Sequence, residues 1–382
     1  MRLPALAAAL AVALQLAGCA HAPAQAPALD AEIRRLMARE NVQGLALAVI
    51  EDGRVVRVQA YGRRNAAGEA LRTDTVMYGA SLTKAAFAYM ILQLADEGRL
   101  DLDAPLSSLL PRPLPTYDWY GDSYASLAGD ERWRLLTPRI LLTHSAGFAN
   151  FRWLEPDKQL RMHFDPVTRY AYSAEGFYIL QLIVEQGLGL DAGQEMQQRV
   201  FDRFGMRRTS MRWRPDFAGN LADGFDSEGK AEPHDERSRV SAAGSMDTTI
   251  ADQARLWAGI VRGDGLSPRM RAEMVRAQLP IRSQSQFPTL TAVQGEPLAN
   301  LAAGLGVVTF RGAAGKGWFK GGHNDTTGNM VLCLESGRRC VVLLANDVRA
   351  ERLYPAIARL ALGETGMPWR WEYGWYRAAP KP

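Results

Sequence analysis

A serine followed three residues later by a lysine is the combination in this chain best suited to covalent chemistry. Ser81 and Lys84 have this spacing, and the segment that follows them, residues 85–94 (AAFAYMILQL), is almost entirely apolar. Residues three apart share one face of a helix, so the lysine amine can lie beside the serine hydroxyl. The first turn of a helix also offers unpaired backbone N–H groups and the positive end of the dipole. The pattern therefore predicts a nucleophilic serine, a neighbouring base and donors for an oxyanion.

Burial decides between this pair and a second copy of the same spacing. The helix after Ser81 is apolar around most of its circumference, which predicts that it is buried. A lysine in such a helix loses hydration, so its pKa falls and it can act as a base. The second copy, Ser227 and Lys230, lies among acidic residues and glycines and is predicted to be an exposed loop.

The composition is that of a globular protein with a large core. The chain has 382 residues, of which 47% are hydrophobic and 23% charged; this is enough for one large domain or two lobes. The formal net charge is only +4, and no run of Lys or Arg suggests a nucleic-acid partner. The five histidines are scattered without ligand spacing, so we expect no metal or other cofactor. The absence of a Gly-x-Ser-x-Gly elbow disfavours an α/β-hydrolase.

The N-terminus has the proportions of a signal peptide, predicted over residues 1–18. Arg2 precedes an apolar run at 3–16, which is too short to span a bilayer comfortably. The sequence LAGC at 16–19 resembles a bacterial lipoprotein processing site, which implies lipidation of Cys19; an ordinary secretory signal is the alternative. An Ala/Pro-rich linker is predicted at 19–29. We expect a periplasmic protein anchored in a membrane through Cys19, the outer membrane rather than the inner because no aspartate follows the cysteine.

Cys333 and Cys340 flank a predicted turn at Ser336 and Gly337. With a two-residue turn between them, the two cysteines lie directly opposite each other on a hairpin. In an oxidising compartment that placement can form a cross-strand disulfide.

Strands cluster near both ends of the chain, and helices occupy its middle. Helices are predicted at 30–41, 81–97, 138–143, 175–186, 249–261 and 350–362. Strands are predicted at 45–50, 55–61, 303–310, 317–320, 330–334 and 340–344. This order predicts an α/β domain over 30–364, with one sheet built from 30–78 and 300–364 and an inserted helical lobe at 79–299. An aromatic-rich tail at 365–382 is expected to pack against the sheet.

Several motifs in order resemble the serine β-lactamase/penicillin-binding-protein superfamily, and its class C-like serine hydrolases in particular. They span roughly residues 30–362 and are SLTK at 81–84, EGRLDLD at 97–103, LLTHSAG at 141–147, FDP at 164–166 leading to Tyr172, AGS at 243–245, and Gly322-His323. The resemblance implies the superfamily's fold, an antiparallel sheet with flanking helices and a mostly helical lobe.

The resemblance also implies roles for individual residues. Ser81 would be the acyl-forming nucleophile and Lys84 its base. Tyr172 would be a phenolic general base, with the charge of Lys84 favouring phenolate. His323 would represent the third motif on the strand lining the site. The Ser81 N–H would form half of the oxyanion hole, and substrate contacts would come from three further positions: Ser173, Asn324 and Asp325.

The chain departs from the superfamily's pattern at two positions. Ala174 stands where a Tyr-x-Asn motif has its amide. Asp325 stands where the third motif has a glycine, which would block close backbone approach and add negative charge. An alternative register for that motif, Lys320-Gly321-Gly322, stays open.

The sequence thus predicts an exported, monomeric serine hydrolase acting through a Ser81 acyl-enzyme. Its substrate would be a small molecule or peptide: an ester, an amide or a D-amino-acid peptide, as for an esterase, a D,D-peptidase or a weak β-lactamase. Because His323 is mostly neutral at pH 7 and Asp325 would repel a carboxylate, neutral esters and amides are expected to be preferred over penicillins. The alternative is a catalytically silent module that binds peptidoglycan fragments or a protein partner.

Overall fold

The computed structural model describes residues 26–290 and 300–374. Its helices are α1 (Ala26–Glu40), α2 (Leu82–Asp96), α3 (Leu106–Leu109), α4 (Pro138–Leu142), α5 (Ala174–Leu182), α6 (Ala192–Met196), α7 (Ile250–Arg262), α8 (Pro268–Met274), α9 (Tyr354–Leu362) and α10 (Trp369–Glu372). Its strands are β1 (Gly44–Glu51), β2 (Arg54–Gly62), β3 (Met77–Tyr78), β4 (Asp118–Trp119), β5 (Asp122–Ser123), β6 (Gly224–Phe225), β7 (Ala231–Glu232), β8 (Asp247–Thr248), β9 (Leu279–Pro280), β10 (Leu301–Ala303), β11 (Val308–Gly312), β12 (Gly315–His323), β13 (Gly328–Leu334) and β14 (Arg339–Ala345).

Both ends of the chain contribute to one eight-stranded antiparallel sheet. The strand order is β2-β1-β14-β13-β12-β11-β10-β9. The N-terminal strand β1 pairs with the C-terminal strand β14, with Ala46 opposite Leu344. The segment between β2 and β9 forms the helical lobe and three small two-stranded sheets. The predicted architecture, one sheet from both termini with an inserted helical lobe, is confirmed.

Successive side chains of a strand point to opposite sides of the sheet, and both sides of this sheet are covered by a hydrophobic core. On one face, Ala46 and Val342 belong to the core shared with α2 and α7. On the other face, Leu47 and Val341 belong to the core that contains residues of α1 and α9. Full burial of a Leu or Val side chain contributes about 1.5–3 kcal/mol, so the strands that carry the site are held from both sides.

Helix α2 is the central element of the helical lobe, as its composition predicts. All its residues from Leu82 to Leu94 are buried. Ser81 occupies the N-cap position and Glu97 the C-cap position, and Gly98 adopts φ +72° directly after it. Both predicted ends of this helix therefore agree with the structure.

The segment predicted as one strand at 303–310 is instead a hairpin. Gly304 N donates to Val307 O (2.9 Å), which reverses the chain between β10 and β11. Gly306 has φ +78°, and a β-carbon on it would lie 2.3 Å from that of Ala88 in α2. The apolar residues around these glycines gave the run its strand-like appearance. A second correction is at the N-terminus, where α1 begins at Ala26, inside the predicted linker.

The two cysteines of the β13–β14 hairpin face each other as predicted. Cys333 pairs with Cys340 in the strand register, and a disulfide joins them. Beyond α9, part of the aromatic tail packs on the sheet: Trp371 and Tyr373 are buried, and the Trp371 ring lies 6.1 Å from that of Phe319 in β12. The expected packing of the tail is thus observed for the part that is described.

The predicted signal peptide, Cys19 and the end of the tail lie outside the described residues. Within 26–290 and 300–374, no helix has both the length and the apolar character needed to cross a bilayer. The same ranges contain no cluster of three His, Cys, Asp or Glu side chains that could hold a metal ion.

Candidate active site

Ser81 lies in a strained turn between β3 and α2. Ala80, directly before it, has φ +46°, a conformation that costs a residue with a β-carbon about 1–3 kcal/mol. Two hydrogen bonds hold the turn: Gly79 N donates to Met246 O (2.8 Å), and Thr83 Oγ1 donates to Ala80 O (2.6 Å). The Ser81 side chain makes no capping bond to the helix and is partly exposed. Its hydroxyl is therefore available for chemistry at the helix N-terminus.

Lys84 places its amine against that hydroxyl from inside the protein. Its Nζ lies 3.1 Å from Ser81 Oγ and donates to Ala243 O at 2.7 Å. The side chain is only 1% exposed. Burial, and secondarily the charge of Lys320, lowers the pKa of Lys84 well below its usual range. A neutral amine in this position can keep its bond to the Ala243 carbonyl while its lone pair accepts the Ser81 proton.

Tyr172 completes the cluster on the side of the sheet. Its hydroxyl accepts from Lys320 Nζ at 3.4 Å. Lys84 Nζ and Lys320 Nζ lie 5.0 and 4.9 Å from the centre of the ring. Burial raises the pKa of Tyr172 well above its usual range, although the nearby Ser81 hydroxyl acts in the opposite direction. The expectation of a phenolate is thus wrong for the resting site, because burial disfavours both the phenolate and the Lys84 ammonium that would have stabilised it.

A neutral histidine orients the Tyr172 ring. The His144 ring lies 4.4 Å from the Tyr172 ring, and His144 Nδ1 accepts from Ser173 N at 3.1 Å. Burial, followed by the charges of Lys84 and Lys320, lowers the pKa of His144 well below its usual range. The imidazole therefore packs against the phenol without adding a charge.

A buried ion pair fixes the start of α5, directly after Tyr172. Glu175 accepts from the Arg152 guanidinium (Nη2–Oε2 2.7 Å) and from Arg152 N at 2.8 Å. Next to this pair, Ala174 N donates to Asn150 O at 2.9 Å and to Asn150 Oδ1 at 3.1 Å. An amide side chain from another loop therefore lies beside position 174 and is hydrogen-bonded to its backbone.

Strand β12 brings Lys320 and Gly322, and not the His323 imidazole, to the cluster. Lys320 and Gly322 lie on the strand face directed toward α2, and a β-carbon on Gly322 would lie 2.9 Å from Ser81 N and 2.8 Å from Leu82 N. His323 lies on the opposite face, where its Nδ1 is 3.0 Å from Glu351 Oε1. The prediction that the His323 side chain lines the site beside Ser81 is therefore wrong, because side chains alternate between the two faces of a strand. The open register, Lys320-Gly321-Gly322, is the one that lies beside Ser81.

Three further residues were predicted to contact the substrate, but their side chains do not point toward the cluster. Ser173 caps α5 instead: it is 2% exposed, and its Oγ donates to Ala149 O at 2.8 Å. Asn324 Oδ1 accepts from Thr326 N at 3.1 Å within the turn after β12. Asp325 is exposed in that turn, so it does not take the place of the closely packed glycine, which is Gly322.

Substituting alanine for Gly322 is expected to lower kcat/KM for an ester by at least about tenfold. The added methyl group would meet backbone atoms of Ser81 and Leu82 below 3.0 Å, so the strand must move away from the serine. Displacements of about 1 Å cost catalysis up to about a hundredfold. Asp325→Gly is the matched control and should change kcat/KM by less than about twofold. A larger effect of Asp325→Gly than of Gly322→Ala would restore the register based on His323.

The groups that acyl transfer would require are brought together here from parts of the chain that are distant in sequence. The geometry supplies a serine hydroxyl, a buried amine, a phenol and backbone N–H groups at a helix N-terminus. Sequence analysis missed Glu372, which lines the same small cavity as Tyr172 and Lys320. Nothing in the local sequence around Glu372 indicates that α10 reaches β12.

Comparison with known proteins places the chain in a family. The family model described as Beta-lactamase matches residues 29–378. Penicillin-binding protein 4 of Amycolatopsis lactamdurans is 26% identical over 187 residues, 46% of each chain. Esterase EstB of Burkholderia gladioli is 26% identical over 206 residues, 47% of this chain and 50% of the esterase. The chain thus aligns with about half the length of these relatives.

A solved structure shows the same fold. D-alanine carboxypeptidase AmpC from Burkholderia cenocepacia superposes with a TM-score of 0.68 at 19% identity, over 89% of this chain and 98% of the other. With the family match over most of the chain, the matching fold and the arrangement around Ser81, the protein belongs to the Beta-lactamase family, whose superfamily consists of serine hydrolases.

Proposed function

We propose that the protein is a serine hydrolase that forms a Ser81 acyl-enzyme with an ester, an amide or a D-amino-acid peptide. The observation that carries this proposal is the 3.1 Å contact between Ser81 Oγ and the buried Lys84 amine, whose pKa is lowered by burial. A lowered pKa favours the neutral amine, which is the form that can accept a proton, and the position of the amine satisfies the geometry required of a general base. The esterase and the penicillin-binding protein among its relatives are consistent with this range of substrates.

The proposed reaction assigns one step to each group. Ser81 Oγ attacks the substrate carbonyl carbon while Lys84 accepts the hydroxyl proton. The oxyanion receives hydrogen bonds from Ser81 N–H and, we propose, from the backbone N–H of His323, the residue after Gly322. The proton then passes through the Tyr172 hydroxyl to the leaving oxygen or nitrogen as the carbonyl re-forms. Attack by water, with the same groups in reverse order, releases the acid and restores Ser81.

Intact-mass measurement tests this proposal directly. Protein mixed with p-nitrophenyl butyrate or benzylpenicillin and quenched in acid should gain the mass of the acyl group. Peptide mapping should place the group on Ser81. Protein unfolded before mixing is the control and should gain nothing. Reversible binding of peptidoglycan fragments without an adduct from any acyl donor would support the silent binding module instead.

We further propose that the protein is exported and anchored to a bacterial membrane, the outer membrane rather than the inner, through a lipid on Cys19. The support is the LAGC sequence at 16–19 after an apolar run of signal-peptide length. Cys19→Ser should move the protein from the membrane fraction to the soluble periplasmic fraction, because stable attachment depends on the acyl chains. Ala20→Ser, which leaves Cys19 and the Cys333–Cys340 disulfide intact, is the control. Unchanged membrane fractionation of Cys19→Ser would contradict the anchor.

A further inference from the structure

The C-terminal segment places a carboxylate at the edge of the strand that carries Lys320. Helix α10 follows α9 and ends at Glu372. The residues on either side of Glu372, Trp371 and Tyr373, are 1% and 2% exposed, and the Trp371 ring lies 5.6 Å from that of Tyr170. These buried aromatic anchors fix where the Glu372 side chain points.

Glu372 fills the space that a side chain at position 321 would occupy. A β-carbon on Gly321 would lie only 1.9 Å from Glu372 Oε1. The other carboxylate oxygen, Oε2, accepts from Gln286 Nε2 at 2.9 Å, and the same nitrogen donates to Glu372 O at 3.1 Å. Glycine at 321 and the carboxylate of Glu372 are therefore a matched pair: the missing side chain makes room for the acid.

Little space is left beside Lys320 for any other anion. The cavity lined by Tyr172, Lys320, Gly321 and Glu372 measures about 10 Å³, room for no more than about one water molecule. An anion that entered this cavity beside Gly321 would have to displace Glu372, which is held by Gln286.

The charges at this end of β12 are balanced from within the protein. Burial lowers the pKa of Lys320 to about 8, although the charge of Glu372 acts against this shift. Burial likewise raises the pKa of Glu372 to about 7, although the charge of Lys320 acts against it. His323, the other group here that can carry positive charge, has its own carboxylate in Glu351 at 3.0 Å. Neither group offers an unopposed positive charge to an incoming anion.

We infer that Glu372 is a specificity-determining residue: it occupies the anion position beside Lys320 from within the chain and directs Ser81 toward uncharged esters and amides. This inference rests on the proposed function. It gives the preference for neutral substrates a different physical cause from the one suggested by His323 and Asp325. A substrate with a carboxylate near this edge meets a like charge, and such juxtapositions cost about tenfold or more in affinity.

Two matched pairs of esters test the inference. p-Nitrophenyl butyrate is compared with mono-p-nitrophenyl succinate, which adds a carboxylate to the acyl group. The methyl ester of 3-carboxyphenyl butyrate is compared with the free acid, which places the carboxylate on the leaving group. With each kcat/KM divided by the rate of alkaline hydrolysis, the wild-type protein should favour the neutral member of at least one pair by about tenfold or more.

In that pair, Glu372→Gln should reduce the preference by about tenfold, chiefly through KM of the anionic ester. Glu372→Ala removes the charge and opens space, so it should reduce the preference in the same way. It replaces the glutamine variant in the test if that variant does not fold. Glu364→Gln is the matched control: this exposed carboxylate lies on the same segment, 78% exposed, and its removal should leave both ratios unchanged. If a folded Glu372 variant still hydrolyses the neutral esters and its neutral-to-anionic ratios of kcat/KM are unchanged, this inference is overturned but the proposed function is not. Hydrolysis of no ester by the wild-type protein would overturn the proposed function as well.

Discussion

Ser81→Ala is expected to abolish acyl-enzyme formation and to lower kcat/KM for p-nitrophenyl butyrate by about 10³-fold or more. The serine oxygen is the atom that would carry the acyl group, and no other hydroxyl at the start of α2 has the Lys84 amine at 3.1 Å. The substitution removes one partly exposed oxygen that does not cap the helix, so the fold should be retained. Circular dichroism and the melting temperature should match those of the wild-type protein.

The second Ser-x-x-Lys copy provides the control for this experiment. Ser227 lies in the exposed turn between β6 and β7, where Asp226 N donates to Lys230 O at 3.0 Å. Ser227→Ala should therefore leave both the adduct and the turnover unchanged. A loss of the adduct in Ser227→Ala with its retention in Ser81→Ala would refute the assignment of the nucleophile.

Patterns confined to one element were readable from the sequence. The bounds of α2, the position of Ser81 at its start and the Cys333–Cys340 register all follow from local periodicity and turn residues. The third motif was misassigned because a sequence shows which residues follow one another but not which face of a strand meets the helix. Lys320 and Gly322 share that face, and His323 does not.

The electrostatics of the site depended on contacts that the sequence could not indicate. The phenolate expected for Tyr172 required a charged Lys84, but burial disfavours the charge on both groups. The carboxylate of Glu372 lies 51 residues beyond Gly321 in the chain, and only the folding of α10 onto β12 brings the two together. A pKa reflects burial and every charge nearby, so it can be argued only after the tertiary structure is known.

Lys84→Met is the second substitution for which we expect a large effect, a fall in kcat/KM of about 10²–10⁴-fold, the usual contribution of a general base. Methionine keeps an unbranched side chain of similar length in the buried position, so packing is preserved. The melting temperature should change by only a few degrees, because relief of the buried amine opposes loss of the donor to the Ala243 carbonyl. Lys230→Met, at the exposed lysine of the second copy, is the control and should retain full activity.

The pH dependence of stability distinguishes the loss of a buried base from general damage. In the unfolded chain Lys84 has a pKa of about 10.4, and burial lowers the pKa in the folded protein well below that value. Between the two pKa values the unfolded state binds more protons, so wild-type stability falls as the pH is lowered from about 10 toward neutral. Lys84→Met lacks this penalty, and its melting temperature relative to the wild type should therefore rise from pH 9.5 to pH 7. A difference that stays constant across that range, or that falls, would mean that Lys84 remains charged in the folded protein and is not the base.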